Sequence, residues 1–217
     1  MRSALEALER CIAAARSASA ASVEIANRPM AAITESYMMR LDVMRDMGEV
    51  ARVMARQAQN PRAELIALHA LMAAAMETGR AEDGLPHVDR ARAIVAEIGA
   101  WRFEAENLIF AAELQALAGK PALATEIARE ALPLCRKYSM SYMGPAILGL
   151  AAKLMDDPIE QQALLAEGDA LLAAPTLAHN HFYFRRYGIE ALLAAGRFDE
   201  ARRYGLALAK FAEREPT

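Results

Sequence analysis

The chain has 217 residues and a formal net charge of -3, and 55% of its residues are hydrophobic although only 6% are aromatic. This length suits one large domain or a repeat array. The slightly acidic balance argues against a general binder of nucleic-acid phosphates, because such proteins are normally basic.

The first predicted element is an N-terminal helix over residues 1–26. Glu6, Glu9 and Arg10 interrupt its apolar positions, so the segment is an amphipathic helix and not a signal peptide. No later apolar run approaches the roughly 20 residues that cross a bilayer. The only two cysteines are far apart and form no metal or disulfide motif, which fits a reducing, cytoplasmic setting.

Beyond this helix, apolar residues recur at helical spacing and no stretch alternates at period two. Short Gly, Pro, Asn and Asp motifs, such as NRP at 27–29 and MGE at 47–49, predict breaks between about ten helices. Three prolines stand where a first-turn proline is tolerated, and two of them follow an Asn or Asp that predicts an N-cap. These residues are Pro61, Pro121 and Pro158, with Asn60 and Asp157 as the caps.

The turns recur with a period of about 39 residues, which is typical of a repeat built from two helices. At four places a turn residue is followed five positions later by a small residue, and the intervals between these places are nearly even. Since the small side chain would lie where two helices cross, this pattern predicts a solenoid of stacked helix pairs. The matching pairs are Gly79 with Gly84, Gly119 with Ala124, Pro158 with Ala163, and Gly196 with Ala201.

The segment AGRFDEA resembles the inter-helix turn of a tetratricopeptide repeat, with Gly196, Phe198 and Ala201 at its characteristic positions. The resemblance implies an all-α fold, a right-handed α-α superhelix of about five helix pairs, spanning residues 1–217 as a single domain. The period exceeds that of the standard repeat, which is about 34 residues, so the array is an elongated variant. The expected units are 30–60, 61–99, 101–138, 141–174 and 178–214.

The C-terminal segment 179–217, which begins HNHFYFRRYG, is more narrowly similar to the tetratricopeptide-like region of large bacterial signalling proteins. In that family a class III adenylate/guanylate cyclase domain and an ATPase domain precede the helical array. The resemblance implies that this chain is a fragment or a shortened relative of such a protein. It also implies a cyclase or ATPase domain upstream as a partner. The chain itself contains no phosphate-binding GxxxxGK[ST] loop.

The pair His179 and His181 is the most conspicuous candidate for chemistry. Residues two apart on a helix point about 200° away from each other, so they share a metal only if the backbone is unwound there. Zinc also needs three or four ligands, and no other candidate ligand lies nearby in the sequence. The pair therefore has three interpretations: helix-start packing, contact with a partner, or a metal or catalytic site.

Aromatic and basic residues follow the histidines. Tyr183 and Tyr187 lie on one helical face, where they either fill the core or line a peptide groove. Arg185 and Arg186 cover apolar surface on a solvated helix face or, as a less favoured alternative, contact nucleic acid. Asn107, within an otherwise apolar helix, is a candidate clamp for a ligand backbone. The predicted partner-binding set is Arg102, Asn107, His181, Tyr183, Arg185 and Tyr187.

Six of the twelve methionines fall between Met30 and Met54. A stripe formed by Ile33, Tyr37, Leu41, Met44 and Met47 repeats at helical spacing. Such a stripe fills a core or, because thioethers adapt to many shapes, forms a docking face for another protein.

These patterns favour a non-catalytic scaffold that holds a protein or peptide in a concave groove. The resemblance implies that it belongs to a bacterial signal-transduction system. One alternative is a small-molecule sensor regulating a cyclase or ATPase, which would need an enclosed apolar pocket. A less favoured one is a metal-dependent enzyme built on His179 and His181. No catalytic motif or dinucleotide fingerprint is present, so no cofactor, nucleic acid or membrane partner is expected.

Overall fold

A computed structural model describes residues 2–214, which are helical almost throughout and contain no β-strand. The all-α prediction is confirmed. None of the described helices combines the length and apolar character needed to cross a lipid bilayer. The helices are α1 (Arg2–Ser17), α2 (Ala21–Ser36), α3 (Leu41–Gln57), α4 (Pro61–Glu77), α5 (Ala81–Ile98), a 3-10 helix (Trp101–Phe103), α6 (Glu104–Leu117), α7 (Pro121–Tyr138), α8 (Met140–Leu154), α9 (Pro158–Leu172), α10 (Ala178–Ala194) and α11 (Phe198–Arg214).

The helices fall into two compact units that divide after Gly99. In the first unit α1 to α5 pack in sequence, and α2 also contacts α4. In the second, α6 contacts α8 and α8 contacts α10, in addition to the packing of consecutive helices. We call α2, α4, α6, α8 and α10 the central helices and the others the outer helices. This packing of neighbours along the chain is that of a helical repeat array.

Helix starts follow one another at even spacing, so that one helix pair takes about 40 residues, within the range of known helical repeats. The spacing shortens once, around α8, which begins 19 residues after the start of α7 and 18 residues before that of α9, and the earlier spacing then resumes. Ala21, Leu41, Pro61, Ala81, Trp101 and Pro121 begin the first six elements of the series, and Pro158, Ala178 and Phe198 begin the last three.

A left-handed residue ends most of these helices. Gln59 is typical: its N–H donates to the Arg56 carbonyl at 3.1 Å, and the next N–H, of Asn60, donates to the Ala55 carbonyl at 2.9 Å. These two hydrogen bonds satisfy backbone carbonyl groups that the helix end leaves unpaired. The left-handed residues are Ser19, Met39, Gln59, Gly79, Gly99, Gly119 and Gly196.

The predicted first-turn prolines are confirmed, since Pro61, Pro121 and Pro158 all stand in the first turn of their helices. Both predicted caps are also present. Asn60 Oδ1 accepts from the Ala63 N–H at 3.0 Å, and Asp157 Oδ1 accepts from the Ile159 N–H at 2.9 Å. Each cap satisfies one of the orphan N–H groups at a helix start.

The N-terminal helix differs from its predicted bounds of 1–26, because the chain turns at Ser19 and α2 then runs through Pro29. Ser19 adopts a left-handed φ of 53° without the glycine that would announce it. Gly48 is likewise inside α3 and does not break it. A Cβ there would lie 3.1 Å from Leu71 Cδ2, so this glycine permits close packing of α3 on α4.

The five-residue template holds at three of its four places. Gly84, Ala124 and Ala201 each occupy the fourth position of an outer helix and are buried. In α9 the predicted Ala163 is exposed, and the buried fourth residue is Gln161, because the helix begins at Pro158 itself. The template is therefore out of register there. Phe198 begins α11, with 67% of its surface exposed.

Phe184 on α10 organises the core of the second unit. Its side chain is fully buried, and two glycines make room for it. A Cβ on Gly168 of α9 would lie 2.0 Å from Phe184 Cε2, and one on Gly149 of α8 would lie 3.0 Å from the Phe184 backbone. Both helices therefore approach α10 more closely than any larger residue allows.

We expect the turn residues Gly119 and Gln59 to respond oppositely to substitution. Gly119→Ala places a side chain at φ 76° in open space, so backbone strain alone should lower the free energy of unfolding by about 1 kcal/mol. Gln59→Gly relieves the same strain at φ 51° and should raise it by about 0.5 kcal/mol. Urea unfolding measures both, and effects of the same sign would contradict this account of the turns.

Candidate functional site on the central helices

All six predicted partner-binding residues lie in the second unit, but they do not form one cluster. Arg102 is exposed in the 3-10 helix, with its guanidinium carbon 4.5 Å from the centre of the Phe103 ring and 5.5 Å from that of Tyr142. Asn107 is fully buried, and its Nδ2 donates to Glu104 Oε2 at 3.2 Å. Its side chain therefore presents no surface to a partner.

The four predicted residues on α10 point in two directions. His181 stacks on Phe211 of α11 with ring centres 4.3 Å apart, and Arg185 Nη1 donates to His181 Nδ1 at 2.7 Å. Burial, together with the Arg185 charge, lowers the pKa of His181. Tyr183 and Tyr187 stack on each other at 6.1 Å instead, and Tyr187 is fully buried. Tyr187 is thus a core residue, while Tyr183 remains partly exposed.

A first row of polar contacts links the starts of α6, α8 and α10. Tyr142 Oη donates to Glu106 Oε2 at 3.1 Å. The Tyr142 carbonyl accepts from His179 Nε2 at 2.7 Å and from Asn180 Nδ2 at 3.0 Å. Because a carbonyl only accepts, Nε2 of His179 carries the proton. The Tyr142 and His179 rings also meet edge to face, 5.4 Å apart.

A second row crosses the same three helices near their C-terminal ends. Lys153 Nζ lies 2.9 Å from Glu113 Oε1 and 2.8 Å from Glu190 Oε2, and Arg186 joins the row through Glu190 at 3.3 Å. Glu113 is nearly buried, with 4% of its side chain exposed. Burial lowers the pKa of Lys153, but the carboxylates of Glu113 and Glu190 raise it, and the net shift is upward. This ammonium is therefore the cation that a buried carboxylate requires.

We call the two rows and their exposed neighbours the central strip. Its groups on the accessible side combine cations, an imidazole and a phenol, and they suit a partner that brings carboxylates and apolar side chains. Sequence reasoning missed most of these residues. A signal was present for Lys153, the only charge within α8, because a lone charge in an apolar helix predicts a buried ion pair. The strip comprises Arg102, Glu106, Glu113, Tyr142, Lys153, His179, Asn180, Tyr183, Arg186 and Glu190.

The histidine pair does not converge. His179 turns to the Tyr142 carbonyl on α8, whereas His181 turns to Phe211 on α11. Across residues 2–214, no group of three or more His, Cys, Asp or Glu side chains is arranged to hold a metal ion. The thiol of Cys135 is buried, and burial raises its pKa, which disfavours the reactive thiolate.

Two small cavities of the first unit are lined by residues of α3, α4 and α5. One, of about 250 Å³, surrounds Glu64. The Glu64 carboxylate lies 2.6 Å from Arg90 Nη2 and 3.5 Å from Arg56 Nε. The other, of about 260 Å³, is lined by side chains that include Glu49 and His87. Burial lowers the pKa of His87. Charged residues line both cavities, so neither is the enclosed apolar pocket expected of a small-molecule sensor.

The chain matches no protein-family model, and it matches none of the curated proteins with which it was compared. The resemblance of its C-terminal segment to tetratricopeptide-like signalling proteins therefore stays a prediction.

Proposed function

We propose that the protein is a non-catalytic interaction module that holds a protein or peptide partner against the central strip. In this proposal the repeat array is a tetratricopeptide-like, right-handed solenoid. Support comes from the even spacing of helix starts and from the contacts between successive central helices within each unit. Each helix pair cannot bury its apolar face alone, and stacking leaves one continuous surface for recognition.

The central strip carries the proposal, because its two rows hold polar side chains of α6, α8 and α10 in fixed positions. Tyr142 and Lys153 each contact side chains on both neighbouring central helices. Such pre-organised groups bind a partner with little loss of side-chain entropy. An extended peptide lying across the three helices would meet Arg102 at one edge and Arg186 at another.

The chemistry of the accessible groups indicates the class of partner. Arg102 is exposed and Arg186 is partly exposed, whereas the carboxylates of Glu106 and Glu113 are buried or paired within the rows. Glu190 is as exposed as Arg186, at 38% of each side chain, but it is paired with Arg186 and Lys153, so the cation of Arg102 is the most exposed charge of the strip. The strip also has aromatic surface at Tyr183 and His179. We infer an acidic peptide segment with at least one large apolar anchor as the partner.

The wider setting rests on the sequence resemblance. We propose that the module works in the cytoplasm of a bacterium, beside a cyclase and an ATPase domain of a signalling system. Its role there would be to recruit or position a partner, and the central strip would supply the recognition surface.

Selection of peptides from a random library against the whole protein tests this function. We expect acidic sequences with an apolar anchor, and at least tenfold weaker binding to Arg102→Glu and Tyr183→Ala variants, measured by calorimetry. The matched control is Arg129→Glu on the outer helix α7, whose arginine is 59% exposed. Equal binding to the strip variants, or no selected peptide at all, would refute the proposal.

A further inference from the structure

The outer helix α3 carries an exposed apolar ridge. Its valines follow one helical face, at spacings of seven and three positions. Each leaves more than two fifths of its surface in solvent, and a methionine just before the helix is more exposed still. The ridge consists of Met39 (68% exposed), Val43 (42%), Val50 (48%) and Val53 (46%).

Two other outer helices show what a solvent-facing position can hold in this repeat. The third and tenth residues are Val43 and Val50 in α3, but Asp83 and Arg90 in α5. In α9 both corresponding positions are glutamates. Valines where α5 and α9 place charges mark this face of α3 for contact with another apolar surface.

Charges along the ridge identify what covers it. Asp42 and Asp46 flank its N-terminal half, with 84% and 73% of their side chains exposed, and Arg56 flanks its C-terminal half at 60%. Arg45 lies within ion-pair distance of both aspartates, 3.3 Å from Asp42 and 3.1 Å from Asp46, and its single positive charge leaves this half with a net negative charge. Arg40, just before the helix, is neutralised by Glu35 at 2.6 Å. A copy of the same helix laid antiparallel places the acidic half of each against the basic half of the other. A parallel copy would set like charges together.

We propose that the protein forms a symmetric homodimer in which the α3 ridges of two copies pack antiparallel. The interface is isologous, so each copy supplies the same valines and the same two charge contacts. Helix dipoles also oppose one another in this arrangement. One helix pair buries less surface than a standard interface, so the dimer is weak, with a Kd on the order of 10 µM. This proposal involves a different surface from the central strip and stands apart from the proposed function.

Sedimentation of the full chain over a concentration series tests the dimer. We expect a monomer–dimer equilibrium and at least a tenfold rise in Kd for Val50→Asp. The matched control is Ile159→Asp on α9, because Ile159 is an exposed apolar residue outside the ridge, and it should leave the Kd unchanged. A chain that stays monomeric up to several hundred micromolar, or a Val50→Asp dimer of unchanged Kd, would overturn the proposal.

Charge reversal tests the antiparallel orientation. Asp46→Arg and Arg56→Asp should each weaken self-association, whereas an equimolar mixture of the two variants should restore it. The double variant Asp46→Arg/Arg56→Asp should also dimerise, because antiparallel packing again pairs opposite charges. A double variant that stays monomeric would overturn the antiparallel arrangement. Circular dichroism checks that each variant folds, since Arg56 also lies 3.5 Å from the buried Glu64.

Discussion

Replacing Gly168 by alanine is expected to lower the free energy of unfolding by about 3 kcal/mol, at the upper end of the cost of overpacking. The added Cβ would lie 2.0 Å from Cε2 and 2.5 Å from Cζ of Phe184, and the ring is enclosed on all sides. Urea unfolding followed by circular dichroism measures the change. The matched control is Gly205→Ala on α11, where no atom beyond the neighbouring residues and backbone of its own helix lies within 4 Å of the new Cβ. There the helix propensity of alanine should stabilise the protein by up to about 1 kcal/mol.

A double-mutant cycle tests whether Phe184 is the cause. Phe184→Ala alone should cost about 3–5 kcal/mol through the cavity it leaves. In the Gly168→Ala/Phe184→Ala variant the new methyl group enters that space, so the combined cost should fall below the sum of the two by about 1 kcal/mol or more. Strict additivity would show that the two residues do not compete for the same volume.

Replacing Lys153 by methionine is expected to cost about 3 kcal/mol, because it leaves the nearly buried Glu113 without its cation. We place the effect at the low end of the range for buried pairs, since 23% of the Lys153 side chain is exposed. The control Lys210→Met, at an exposed site on α11, should change stability by less than about 0.5 kcal/mol.

Restoring neutrality should recover much of the lost stability. In Lys153→Met/Glu113→Leu the orphaned carboxylate is absent, and the double variant should be more stable than Lys153→Met alone. A double variant less stable than the single one would contradict this explanation. Because the folded pKa of Lys153 is raised above its ordinary 10.5, the contribution of its positive charge to stability is present at neutral pH and is lost as the pH rises through that folded value.

The local chemistry of the sequence predicts the helices and many of their ends. Pro61 and Pro158 mark helix starts because a first-turn proline gives up no hydrogen bond, and Asn60 and Asp157 supply the matching caps. Turn glycines at 79, 119 and 196 reveal the repeat since only glycine adopts a left-handed φ without strain. These signals are readable because they depend on residues within one turn of each other.

Two turns without glycine, at Ser19 and Met39, escaped sequence reasoning, whereas Asn60 and Pro61 announced the one at Gln59. Ser19, Met39 and Gln59 take the same left-handed conformation, and it is the backbone bonds of the helix end and the packing of the next helix that hold them there. Gly48 was misread as a break for the opposite reason, because its role is to admit Leu71 from α4. A one-dimensional pattern does not distinguish a glycine that bends the chain from one that lets two helices approach.

By itself, the sequence determined that this protein consists of helices arranged in a two-helix repeat, because helix propensity, helix caps and turn chemistry depend on residues close together in the chain. Tertiary structure decided which of its polar residues act together. Glu113, Lys153 and Glu190 are far apart in the chain and meet only because α6, α8 and α10 pack side by side. His179 and His181 are neighbours in sequence, yet the geometry of one helix turns them toward α8 and α11.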